Sequence, residues 1–233
     1  MKKVATALFL FIAMAVITLP ASADPVTYNI DFTGVGGAST DGVYIFPYKF
    51  TITNNVTHAS SPAMMVCIDF EREIFQPEIW TATLVNITDP LPADAPTALA
   101  LKEMAILDQD ITTPNLTYQQ TSDYQFAIWS LSAGTDTGNT GFDGGAAADL
   151  QTAYNEATDP NYTGTNYAGF SYFDPIAGTQ PKGDTLPQRF LLYTPSIVIP
   201  HVVPSPVPEP SSLMLLGTGL FGLASVARRR FKA

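Results

Sequence analysis

Cys67 is the only cysteine in this 233-residue chain, and it sits in the stretch MMVCIDF at residues 64–70. A lone thiol has no disulfide partner in its own chain. The second chemically suggestive stretch is QFAIW at residues 125–129. On a helix Gln125, Ile128 and Trp129 stand at i, i+3 and i+4 and share one face, which sets a carboxamide beside an aromatic wall. Asp69, two residues beyond the thiol, is a nearby acid. The other constellations are weaker. Asp69, Glu71 and Glu73 in DFERE have the carboxylates a glycosidase needs, but period-2 alternation on a strand reads as a solvated edge. Asp136, Asn139 and Asp143 in DTGNTGFDGG offer oxygen ligands of the kind calcium takes, without the order or the closing glutamate of an EF-hand, and read as a solvated turn. The two histidines, His58 and His201, have no metal-ligand spacing, and no Gly-x-Ser-x-Gly is present. No cofactor and no turnover enzyme is expected.

These residues need elements to position them. Residues 26–34, 42–54, 63–73 and 78–88 alternate apolar and polar side chains and are rich in β-branched and aromatic types, which predicts four strands. In the third, Met64, Val66, Ile68 and Phe70 share one face and Met65, Cys67, Asp69 and Glu71 the other, so Cys67 is expected to point away from the most apolar face. Helical spacing then takes over at 97–110, 121–134 and 144–157. Gln125 is thereby expected in the first turn of the second helix, where free backbone N–H groups could stabilise an oxyanion. A loop rich in Tyr, Asn, Gly and Pro follows, and residues 187–195 read as a closing strand. The segregated pattern predicts an α+β fold, an antiparallel β-sheet or sandwich with a small inserted helical subdomain, spanning residues 24–200.

The ends carry signals of a different kind. Residues 1–23 have two lysines, an apolar run and Ala21-Ser22-Ala23, the pattern of a cleaved signal peptide. Between 24 and 206 there are 20 acidic against 5 basic residues, a net charge of −15, which excludes the basic footprint of a nucleic-acid binder. Residues 201–210 form a proline-rich linker, 211–227 an uncharged apolar helix at the short limit for crossing a bilayer, and 228–233 a basic cytoplasmic tail. Pro208-Glu209-Pro210, the glycine-containing apolar helix and Arg228, Arg229 and Arg230 together resemble the PEP-CTERM sorting signal of Gram-negative, often biofilm-forming bacteria. The resemblance implies transient membrane anchoring, an exosortase-type membrane protease as partner, processing near Glu209, and delivery to the cell surface or extracellular matrix.

A second resemblance concerns the body. A hydrophobic–Cys–x–acidic strand, here VCID, followed by Gln-x-Ala-Ile-Trp, here QFAIW, is similar to the thioester domains of bacterial surface adhesins. The likeness extends over roughly residues 45–129 and implies that Cys67 and Gln125 condense to an internal thioester, shielded by Ile128 and Trp129, with Asp69 nearby. The bond would serve as a single-use acyl donor for a surface amine or hydroxyl, or for an extracellular polysaccharide. The competing readings are a buried Cys67 acting as a small hydrophobe, and a non-reactive structural or polysaccharide-binding matrix protein.

Overall fold

The computed structural model describes residues 25–36, 39–40, 42–133, 140–179 and 186–194. The signal peptide, the proline linker, the apolar segment and the basic tail lie outside the described residues. In chain order the elements are β1 (Thr27–Val35), β2 (Ser39–Thr40), β3 (Val43–Tyr44), β4 (Tyr48–Asn54), β5 (Ser60–Cys67), β6 (Glu78–Asn86), α1 (Ala98–Ile111), α2 (Tyr118–Ala133), α3 (Gly144–Thr158), β7 (Phe170–Pro175) and β8 (Phe190–Tyr193). Among the described residues no helix is long and apolar enough to cross a membrane.

The strands explain themselves from their alternation. In β1, Ile30 and Phe32 are buried while Asn29 and Thr33 face out, and β4 repeats the pattern with Tyr48, Phe50 and Ile52. Register sets these inward residues opposite one another: Phe32 against Phe50, Ile30 against Trp80, Tyr48 against Met65. Cross-strand neighbours of this kind supply much of a sheet's stability. In β1, Thr33 and Gly34 together oppose one stretch of β4, a β-bulge at which Gly34 adopts φ +150°. Such a bulge bends the strand, as closure of a sheet requires.

The sheet closes. All pairings are antiparallel, and the order β1-β4-β5-β8-β7-β6 returns to β1 as a six-stranded barrel. The α+β class and the antiparallel sheet are as expected, but closure into a barrel replaces the sandwich. The missing piece was β7, which falls in the segment read as a loop, because its Phe170, Tyr172 and Phe173 stand among Gly, Asn and Pro. With β7 in place, the four-residue β8 bridges β5 and β7, and every strand of the barrel has two neighbours. The interior is aromatic. Phe190 packs edge-to-face on Phe50 at 4.6 Å and on Tyr48 at 5.3 Å, and lies 6.3 Å from Trp80.

The three helices pack on one another, with α2 against β5 and α1 against β8. Their starts are capped locally. Thr97 Oγ1 accepts from Ala100 N at 3.1 Å, and Asp143 accepts from Gly145 N at 2.7 Å. Thr117 and Gln120 form a reciprocal capping box at the head of α2: Thr117 Oγ1 accepts from Gln120 N, and Gln120 Oε1 accepts from Thr117 N. That box starts α2 at Tyr118, not 121, so Gln125 stands two turns inside the helix. The expectation of a first-turn glutamine at a cluster of free N–H groups is therefore overturned. Thr121, Ser122 and Asp123, at the expected start, lie within the helix.

Phe190 is the keystone of the aromatic interior. Phe190→Ala is expected to cost about 3–5 kcal/mol of unfolding free energy, read from the midpoint of a urea titration at unchanged slope.

Candidate functional site

Cys67 is the last residue of β5, and it pairs with Phe190 of β8. It belongs to the inward row of the barrel with Tyr48, Met65 and Phe190. Met64, expected on the buried face, is 63% exposed, while Met65 and Cys67 are fully buried. The face assignment along this strand is thus reversed. Alternation alone misleads here because Val66 is buried as well: the outer row Val66, Leu191 and Tyr172 lies under the helices. A strand covered on both faces gives no clean period-2 signal.

The structure brings Cys67 and Gln125 together across 58 residues of sequence. Gln125 Nε2 donates to the Cys67 carbonyl oxygen at 2.8 Å, and both side chains are fully buried. Cys67 Sγ in turn donates to the Asp69 carbonyl oxygen at 3.4 Å. Burial pushes the thiol pKa up to about 12, opposed by a backbone hydrogen bond from Asp69 to the sulfur and by the nearby Trp129 indole. The indole N–H itself reaches no acceptor at hydrogen-bonding geometry, and Gln125 Oε1 is likewise buried without a donor. An unpaired buried polar atom costs on the order of 1–3 kcal/mol, so this site holds a small reservoir of unsatisfied polarity.

Ile128 and Trp129 are buried on the same helix. Trp129 forms part of an aromatic cage: Phe70 lies 5.0 Å from it, Phe126 meets it edge-on at 5.0 Å, and Phe142 closes on Phe126 at 4.9 Å. Phe70, Phe126 and Phe142 were not singled out from sequence. Phe126 stands inside QFAIW but off the face drawn for Gln125, and the cage closes only when the loop after β5 folds back.

Asp69 is not on a strand, because β5 ends at Cys67. It is buried and ion-paired to Arg72, Nε to Oδ2 at 3.0 Å, and burial raises its pKa against the pull of Arg72 and Arg189. Glu71 and Glu73 are exposed in the same loop, so the paired-carboxylate edge does not form. Sequence reading also missed Arg189, which is buried, donates from Nε to Asp174 at 2.7 Å and bridges to Asp94. This network ties the start of β8 to β7 and to the turn before α1. Of the calcium candidates, Asp143 is the exposed cap of α3, and Asp136 and Asn139 lie outside the described residues. Among the described residues no group of three His, Cys, Asp or Glu side chains could hold a metal ion.

The chain was compared with known families and proteins. Residues 206–230 match the PEP-CTERM protein-sorting motif. The chain carries a PEP-CTERM sorting motif. It includes Pro208, Glu209, Pro210 and Arg228 to Arg230, and it implies export, handling by an exosortase at the membrane, and display outside the cell. These PEP-CTERM residues lie outside the described part of the structure. Neither the comparison with curated proteins nor that with solved structures yields a match.

Two outcomes are expected at and near the site. Gln125→Ala leaves the Cys67 carbonyl without its donor and opens a gap in the helix–strand contact, so it should cost about 1–3 kcal/mol, measured by chemical denaturation. On α1, burial alone raises the Asp108 carboxyl pKa to about 8. A folded-state pKa above the unfolded one means stability is fully present below the ordinary carboxylate pKa of 3.8 and is lost as pH rises toward about 8. The melting temperature of Asp108→Asn should therefore match that of the parent at acid pH and exceed it progressively up to that pH.

Proposed function

We propose that this exported surface protein closes an internal thioester between Cys67 and Gln125 and spends it once, in covalent attachment to a surface or matrix. The supporting observation is the buried contact itself: the Gln125 carboxamide is held against Cys67 by a 2.8 Å hydrogen bond, with both side chains out of reach of water. Closure joins Cys67 Sγ to Gln125 Cδ and breaks the Cδ–Nε2 bond, and ammonia leaves with the thiol proton. A primary amine later attacks Cδ, forms an amide, and returns the proton to the Cys67 sulfur; a hydroxyl would give an ester by the same route. Burial that disfavours a thiolate does not disfavour an uncharged thioester. The thioester carbonyl is also a weaker acceptor than the amide, which lessens the cost of the unpaired Gln125 oxygen. The aromatic cage of Phe70, Phe126 and Trp129 would slow hydrolysis. Since the acyl donor is consumed, no turnover follows.

The partners in this reading are an exosortase-type protease acting near Glu209, and an amine or hydroxyl on an extracellular polymer of a Gram-negative biofilm. A second reading keeps the same fold without the bond, as a structural or polysaccharide-binding matrix protein. It is favoured by the thiol's raised pKa and by the Asp69 carbonyl that holds its proton.

Intact mass decides between them. The purified protein should be lighter than its sequence by one ammonia, with the deficit absent from Cys67→Ala and from Gln125→Ala, and methylamine should add to the parent while freeing one titratable thiol. A parent of full mass with a free Cys67 would sink the thioester and leave the second reading.

A further inference from the structure

A groove of about 500 Å³ runs between α1, α2 and α3. Its walls are apolar, from Leu131 on α2, Phe142 in the turn before α3, and Ala146 and Leu150 on α3. Glu103 of α1 also lines it, and this residue is only 4% exposed. Among the described residues the Glu103 carboxyl makes no hydrogen bond or ion pair. A buried carboxylate without a partner is costly, and burial holds the Glu103 pKa above the ordinary value. A cation beside it would restore the charged form at little cost.

The surrounding charge selects the ligand. The sole basic residue on the three helices is Lys102, which is exposed and sits over the Tyr167 ring at 5.5 Å. Against it stand Asp108, Asp110, Asp123, Asp149 and Glu156, with Asp143 at the mouth of the groove. Asp110, Asp123 and Asp149 all have pKa values raised, by burial first and then, for Asp110 by Glu156, for Asp123 by Asp143, and for Asp149 by Asp123 and Asp110. Such a field repels anions and draws cations. A mostly apolar trough with one buried carboxylate at its wall and a few further polar groups, Ser130, Asp143 and Gln151, has the build of a small-molecule site.

We propose that the groove between the three helices binds a small organic cation, a protonated amine on an apolar body, with Glu103 as its anchor. This site is separate from the Cys67–Gln125 pair and does not depend on the thioester.

The test is equilibrium dialysis of the purified full chain with N,N-dimethylphenethylamine, a tertiary amine that cannot form an amide with an acyl donor, against the neutral 2-phenylethanol. The parent should retain the amine more tightly by about tenfold, the worth of one charge-assisted hydrogen bond. Glu103→Gln should erase that preference, with its melting curve confirming that it folds. Ala147→Leu, which fills the groove from its exposed rim, should weaken both compounds. Equal retention of amine and alcohol by the parent, no retention of either, an undiminished preference in Glu103→Gln, or unchanged binding in Ala147→Leu would each overturn the proposal.

Discussion

The structure depends on the closure of the sheet through β8. Four residues, Phe190–Tyr193, pair with β5 on one side and β7 on the other, and without them both neighbours would present open edges. The junction with β5 is short: Val66 opposite Leu191, Cys67 opposite Phe190, and Ile68 N bonded to the Arg189 carbonyl at 3.0 Å. Around this junction Phe190 fills the barrel interior, and Arg189 locks the entering chain to Asp174 and Asp94. Asp94 is largely exposed, so its share of that lock is screened, while the pair with Asp174 is better sheltered.

The same junction brings the Gln125 carboxamide to the Cys67 backbone carbonyl. Cys67 is pinned by its partner on β8, and the outward residues on either side of it must be covered because Val66 and Leu191 are apolar. The helices provide that cover, and α2 lies against β5 with Gln125 facing it. The glutamine is buried with its amide nitrogen satisfied and its oxygen not. Among the described residues the groups that move the Cys67 pKa include no cation, so the chemistry proposed for it starts from a neutral thiol. In that proposal the barrel and helices serve to exclude water from the pair.

The helices carry a different electrostatic burden. They hold almost all their charge as carboxylates, several with pKa values raised by burial and by one another, and they achieve packing without ion pairs between them. That acidity is tolerable because most of these groups reach solvent. Asp108 and Glu103 do not, and they are the places where the fold gives up stability.

Much of the design was legible without coordinates. Alternation in 26–34, 42–54 and 78–88 and helical spacing in 97–110 and 144–157 gave the α+β class and most elements, because those segments each bury one face. Cys67 and Gln125 were singled out together by the likeness of VCID and QFAIW to thioester domains, and the structure joins them by one hydrogen bond, from Gln125 Nε2 to the Cys67 carbonyl oxygen. Tertiary structure decided the rest. It placed Cys67 inward, because the end of β5, Met65 to Cys67, is buried on both faces and loses its period there. It moved Gln125 two turns into α2, because the Thr117–Gln120 capping box sets the start of that helix. It closed the barrel, because pairing of β7 and β8 with distant strands is a matter of edge satisfaction that no local pattern records. Sequence alone thus marked Cys67 and Gln125 as candidates, while only the closed barrel and its helical cover decided that both are buried and joined by a hydrogen bond.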